Sequence, residues 1–233
     1  MKNLPFIVIA FLACDFLLPL LYLANWWGLG ASSHTLTTLL DLGGEANLPT
    51  WYSSMQLFVV AMILSACVYV RWSESKTVPW VLVLLAGLFA ALSLDEIAQI
   101  HEMIGFRTDV LLPGGDRRHS IFGQTGVWMF VLGIPIFAGV LALVFRLKKL
   151  LRGQGRIVRI FFAATVVYFG SALGLEALVN FIPAGGLASA LQVCLEECGE
   201  MTGATLYLWG AYELARFYGL TITLARSPVT EEA

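Results

Sequence analysis

Six stretches of the chain stay mostly apolar for about 20 residues or more, near 4–28, 51–72, 78–104, 124–146, 158–181 and 187–218, and a helix of ~20 such residues crosses the hydrocarbon of a bilayer. A helix satisfies its own backbone polar groups, which lipid does not. The pattern predicts an all-α, polytopic bundle of six membrane-spanning helices in one domain over residues 1–233. Nothing in the composition along the chain, and no internal repeat, marks a second domain. The first stretch is too long for a signal-peptide core of ~7–15 residues and reads as a retained helix. Asn47 and Pro49 form a start signal for the second span. Pro113-Gly114-Gly115 break the chain in the loop after the third.

Composition supports the same class: 58% of residues are hydrophobic and 13% charged, with mean hydropathy +0.80, whereas soluble domains are about a quarter charged. The net charge of -2 is less informative than where the charges lie. Lys2, Arg71, Lys76, Arg146, Lys148, Lys149, Arg152, Arg156, Arg159, Arg216 and Arg226, eleven of fourteen cations, fall on one side of a six-span arrangement. Only Arg107, Arg117 and Arg118 fall on the other. Cations collect on the cytoplasmic side, so both termini are expected there. No basic stripe points to nucleic acid. Cys14, Cys67, Cys194 and Cys198 all lie within apolar stretches, which argues against a disulfide framework.

The acids are distributed just as unevenly. Asp41, Glu45, Asp95, Glu96, Glu102, Asp109, Asp116, Glu176, Glu196, Glu197 and Glu200, eleven of sixteen, lie in the outer half or outer loops, together with His34, His101 and His119. At 1.5 Å per residue, Asp95 and Glu196 each lie ~14 Å and Glu176 ~8 Å below the outer ends of their spans, so spans three, five and six can present their acids in one layer. At 100° per residue, Asp95, Gln99 and Glu102 share a stripe. So do Gln192, Glu196, Glu200, Gly203 and Tyr207, with Glu197 at the margin and Cys194 and Cys198 on the opposite side. Glu176 and Asn180 stand four apart on span five, on the face of Thr165 and Ala172.

Unpaired charges at that depth cost several kcal/mol, and no Lys or Arg within the spans is placed to pair them. Bound metal, retained protons or water in an open cavity are the ways to neutralise the set. Metal suits it best. Glu45, Asp95, His101, Glu102, Glu176, Glu196 and Glu200 are the expected ligands, with Glu197 and Glu96 the expected acid–base groups. Ligation rich in oxygen and without thiolate favours Mn, Fe, Ca or Mg over structural zinc. Ser53, Ser54 and Gln56 are further candidates for the pocket wall, and Glu45 precedes the positive end of the second span. Asp15, four residues before Pro19 in the first span, is either a relay or a locally satisfied kink. Trp26, Trp27, Trp51 and Tyr52 fit an interfacial aromatic belt.

Leu40-Asp41, Glu45, Pro49, Trp51-Tyr52-Ser53-Ser54, then Ser93-Leu94-Asp95-Glu96 and His101-Glu102, resemble a family of uncharacterised bacterial multipass membrane proteins. The likeness covers about the first half of the chain and the acidic pattern of span six. It implies a shared site and a bacterial inner-membrane location, without naming an activity. The Glu-x-x-His pairs of di-iron bundles, a His-Glu-x-x-His zinc motif, a P-loop, a dinucleotide glycine fingerprint and a Gly-x-Ser-x-Gly elbow are all absent. The expectation is a membrane metalloprotein, a hydrolase or oxidase for a lipid or other apolar substrate. A cation- or proton-coupled transporter and an accessory subunit with a structural ion are the alternatives.

Overall fold

The computed structural model describes residues 4–29, 34–115, 117 and 120–220. Lys2, Asp116, Arg118, His119 and Arg226 lie outside them. Among the described residues every regular element is a helix. α1 spans Phe6–Ala24 and runs into a π-helical turn, Asn25–Leu29. α2 (His34–Leu39) is short and exposed, and α3 covers Leu48–Ser75. α4 covers Trp80–Ala98 and α5 covers Ile100–Thr108. A π turn, Met129–Gly133, leads into α6, Ile134–Leu150. α7 (Gly155–Phe169) continues through a π turn, Gly170–Leu175, into α8, Glu176–Val179. α9 is Leu187–Phe217.

Among the described residues five helices are long and apolar enough to cross a membrane: Phe6–Gly28, Leu48–Ser75, Trp80–Ala98, Met129–Leu150 and Gly155–Val179. The sixth apolar stretch forms the 31-residue α9. At 1.5 Å per residue α9 is about 46 Å long, but its glutamates leave it less apolar than the other five. The third span ends at Ala98, short of the expected 104. Gln99 adopts a left-handed conformation (φ 53°) and reverses the chain, so His101 and Glu102 open a separate helix. Asn47 caps α3 as the sequence predicts: its side chain accepts a hydrogen bond from the Thr50 amide at 3.1 Å, and Pro49 follows in the first turn.

α9 runs through the middle of the bundle and packs on α1, α3 and α7, while α3 packs on α4, α4 on α6 and α6 on α7. The core between them holds Leu57, Leu64, Leu85, Phe89, Phe161 and Tyr207, none more than 1% exposed. Gly203 makes the α7–α9 contact possible. A Cβ there would stand 2.7 Å from the backbone N and Cα of Tyr168, closer than non-bonded atoms rest.

Two polar ties cross the apolar core. Ser54 Oγ donates to the Ser93 carbonyl (2.8 Å), and Ser93 Oγ donates to the Ser54 carbonyl (2.9 Å), joining α3 to α4. Asp15, fully buried on α1, accepts from Tyr52 Oη (2.7 Å) and Gln56 Nε2 (2.8 Å) of α3 and from Thr205 Oγ1 (2.6 Å) of α9. Asp15 is therefore satisfied by partners on two other helices rather than within its own kink, as buried polar groups usually are.

Candidate functional site

Helix direction places the C-terminal ends of α4 and α8 and the N-terminal ends of α3, α6 and α9 at the same end of the bundle. A cavity of about 330 Å³ opens there. Glu45, Asp95, Glu96, His101, Glu102, Glu176, Glu196, Glu197 and Glu200 all line it, joined by Gln192. Every residue singled out as ligand or acid–base group therefore reaches one cavity. They come from the loop before α3, from α4, α5, α8 and α9, which are distant in sequence. The opposite end carries Arg71, Arg146, Lys148, Lys149, Arg156, Arg159 and Arg216, and there Glu213 accepts from Arg156 Nη2 at 3.4 Å.

Local structure explains how each group arrives. The turn at Gln99 carries α5 back over the end of α4, so that the His101 amide donates to Asp95 Oδ1 (2.8 Å) while the His101 ring nitrogen Nδ1 lies 2.9 Å from Asp95 Oδ2. Both Asp95 oxygens are thereby engaged with one residue. This is the arrangement that fixes a histidine tautomer and leaves Nε2 available. Asp95, expected as a ligand, is the group that holds His101 in place. Trp128 lies against the imidazole at 5.0 Å between ring centroids. Beyond the end of the span, burial lowers the His101 pKa, but the Asp95 hydrogen bond and the charges of Asp95, Glu96 and Glu102 outweigh it and hold the pKa above the ordinary value.

The π turn at Gly170–Leu175 inserts an extra residue into the helical register, and such turns recur at functional sites. It leaves the Leu175 carbonyl to accept from Gln192 Nε2 (3.0 Å). The same amide nitrogen donates to Glu196 Oε2 at 2.7 Å. Gln192 is only 5% exposed, and its Oε1 is buried with no hydrogen-bond partner among the described residues. Glu176 and Glu196 line the same cavity. Glu197 faces Glu96, Glu45 and Glu176.

Glu45 sits at the mouth, where the Asp41–Asn47 loop is pinned. Asp41 Oδ1 accepts from the Gly43 amide (3.1 Å), and Asn47 Nδ2 donates to the Asp41 and Gly44 carbonyls. Burial against the wall and the Glu102 charge push the Glu45 carboxyl above its usual range.

Among the described residues one Lys or Arg, Arg117, lines the cavity. Its Nε donates to Asp109 Oδ2 at 2.6 Å, its Nη1 to the Gln124 carbonyl, and its guanidinium lies over the Phe106 ring, 4.6 Å from the centroid. Gly126 (φ +73°) makes room for this pair, since a Cβ would stand 2.7 Å from Asp109 Oδ1. The sequence reading missed Arg117 because its partner lies eight residues away in a loop without periodicity.

Other expectations are corrected. Ser53, Ser54 and Gln56 do not line the cavity; Ser54 and Gln56 belong to the ties described above. Asn180 staples α8 to the start of the α6 segment, its Nδ2 donating to Thr125 Oγ1 (2.9 Å) and its Oδ1 accepting from the Gln124 amide (3.0 Å). Thr165 is spent on the Tyr207 hydroxyl, which donates to it at 2.8 Å. Cys194 and Cys198 turn away from the acids, with Cys194 Sγ 3.9 Å from the Pro19 carbonyl of α1.

In the conformations they hold, no three His, Cys, Asp or Glu side chains among the described residues stand close enough to ligate one metal ion. A family model described as a domain of unknown function matches residues 5–215. No curated protein and no solved structure matches the chain.

Proposed function

Because that match covers most of its length, the chain belongs to the DUF8692 family, and we propose that it is a membrane-embedded, divalent-cation-dependent hydrolase. One observation carries the reading. Among the described residues eight carboxyl side chains line a single cavity, and the one Lys or Arg that joins them, Arg117, is already paired with Asp109. Cations drawn to such a site relieve the mutual repulsion that the fold builds in.

Glu176, Glu196 and Glu200, with Gln192 Oε1, form the oxygen-rich part of the wall and are the assigned ligands. Their all-oxygen chemistry selects Mn, Mg, Ca or Fe over structural zinc. Glutamate has three side-chain torsions through which it can turn toward an ion, and binding at this site requires that these residues do so. A divalent cation bound there supplies Lewis acidity and makes a water a stronger acid. Glu197 and Glu96, which face each other across the cavity, are the groups to take and return the proton. Asp95 holds His101 in the orientation that points Nε2 at the same space.

The same proposal includes a topology. α9 is the sixth span, its polar face turned to the cavity. The Lys- and Arg-rich end is cytoplasmic with both termini, and the membrane is the bacterial inner membrane, as the family resemblance implies. Transport is disfavoured by the packing beneath the cavity, where Phe89, Phe161 and Tyr207 fill the axis.

Titration of Mn²⁺, Mg²⁺ and Ca²⁺ into protein purified without chelator, read by calorimetry and by elemental analysis, tests the reading. Saturable binding of one or two ions, weakened at least about tenfold in Glu200→Gln and Glu196→Gln, supports it. Absence of saturable binding of all three ions to the folded wild-type protein would refute it.

A further inference from the structure

α5 sits where a water-facing connection belongs, yet beside the exposed Arg107 it turns large apolar side chains outward. Met103 is 52% exposed and Phe106 65%, and the 3₁₀ turn that follows presents Val110 and Leu111 at 71% and 68%. A nine-residue helix is too short to span a bilayer, so these side chains need another apolar partner. The surface is continuous with the lipid-facing end of α4, where Leu94 and Ile97 are 58% and 62% exposed. α5 follows α4 after a single residue, Gln99. That places it in the interface, with these side chains in the upper acyl region.

Phe106 belongs to this outward surface and also lines the cavity. That ring, over which the Arg117 guanidinium lies, therefore stands between the cavity and the outer surface. Inside, Leu92, Trp128, Leu132, Ile136 and Leu173 share the lining with the acids, Leu92 one helical turn from Asp95 and Glu96 and Leu173 one turn from Glu176. A cavity lined by both kinds of side chain matches an amphipathic molecule: polar head beside the acidic groups, hydrocarbon against the apolar side chains and out past Phe106.

We infer that the molecule acted on is a bilayer phospholipid, admitted from the leaflet past Phe106 and beneath α5. This rests on the hydrolase reading for its chemistry, but lipid entry is separable from cation binding. Arg117, whose guanidinium lies over Phe106 and which lines the cavity, is the group suited to a headgroup phosphate.

The test uses the full chain in vesicles of phosphatidylethanolamine and phosphatidylglycerol containing a phosphatidylethanolamine with a photoactivatable diazirine in its acyl chain. After irradiation, adducts are mapped by mass spectrometry. The expected result is labelling of Phe106 and of Leu173 on the inner wall, with Leu173 labelling raised about twofold or more in Phe106→Ala. Adducts confined to the outward residues Leu94, Ile97 and Val110, with none on Leu173 in either protein, would overturn it. Wild-type and variant proteins are compared only as monodisperse samples, so that misfolding does not imitate either result. Entry without cation binding would remove the hydrolase reading and leave the lipid passage; cation binding without entry would do the reverse.

Discussion

Replacing Asp15 tests whether the buried junction is structural. Its carboxylate accepts three hydrogen bonds, and bonds to a charged group contribute ~1.5–3 kcal/mol each. The gross loss in Asp15→Ala is therefore about 4.5–9 kcal/mol. Two of the donors have a second acceptor in place: the single Tyr52 hydroxyl proton can turn to the Phe11 carbonyl, 3.0 Å from Oη, and Gln56 Nε2 lies 3.3 Å from the Met201 carbonyl. Only the Thr205 hydroxyl loses its sole acceptor. Releasing the cost of burying a charge offsets more of the loss. The expected net destabilisation is about 2–4 kcal/mol for Asp15→Ala and about 1 kcal/mol for Asp15→Asn, which keeps the shape and one acceptor oxygen. Unfolding of the purified protein by SDS in mild-detergent micelles, followed by circular dichroism, measures both. Asp15→Ala unfolding at the wild-type SDS fraction would refute the reasoning. Asp15→Asn falling as far as Asp15→Ala would show that the charge, rather than the acceptor geometry, carries the junction.

Three further outcomes follow from the same geometry. Gly203→Ala pushes a Cβ into the Tyr168 backbone and should destabilise by about 1–3 kcal/mol through overpacking. It should also weaken Mn²⁺ binding, since Tyr168 lines the cavity; unchanged unfolding would show that α7 yields freely. Cation affinity should rise with pH, because carboxyls must be deprotonated to ligate. Glu45 sits above the usual carboxylate range, so it still carries its proton where an ordinary glutamate has lost it, and Glu45→Gln should flatten the upper part of the calorimetric pH dependence. Asp95→Asn should leave Mn²⁺ stoichiometry intact while altering the pH titration of His101 observed by NMR. The Asp95 hydrogen bond and charge raise the His101 pKa, so their loss should lower it; an unshifted titration would remove Asp95 from the orienting role.

Hydrophobic periodicity alone determined the class of this molecule, its apolar spans and the end of the bundle that gathers the acids. These follow from the length of apolar runs and from the 100° step of a helix, and each property is local. The stripe of Gln192, Glu196 and Glu200, and the opposite placement of Cys194 and Cys198, were legible for the same reason. The role of each residue was not. Asp95 orients His101 only because Gln99 reverses the chain, and a left-handed glutamine carries no periodic signal. Gln56 and Asp15 meet across three helices, and Arg117 finds Asp109 within an irregular loop. Those contacts depend on how α1, α3 and α9 pack and on where the π turn at Gly170–Leu175 shifts the register. Nothing local to any one segment encodes such a meeting. It is set by side-chain packing between segments, such as the closeness of Gly203 to Tyr168, and the tertiary structure alone decides it.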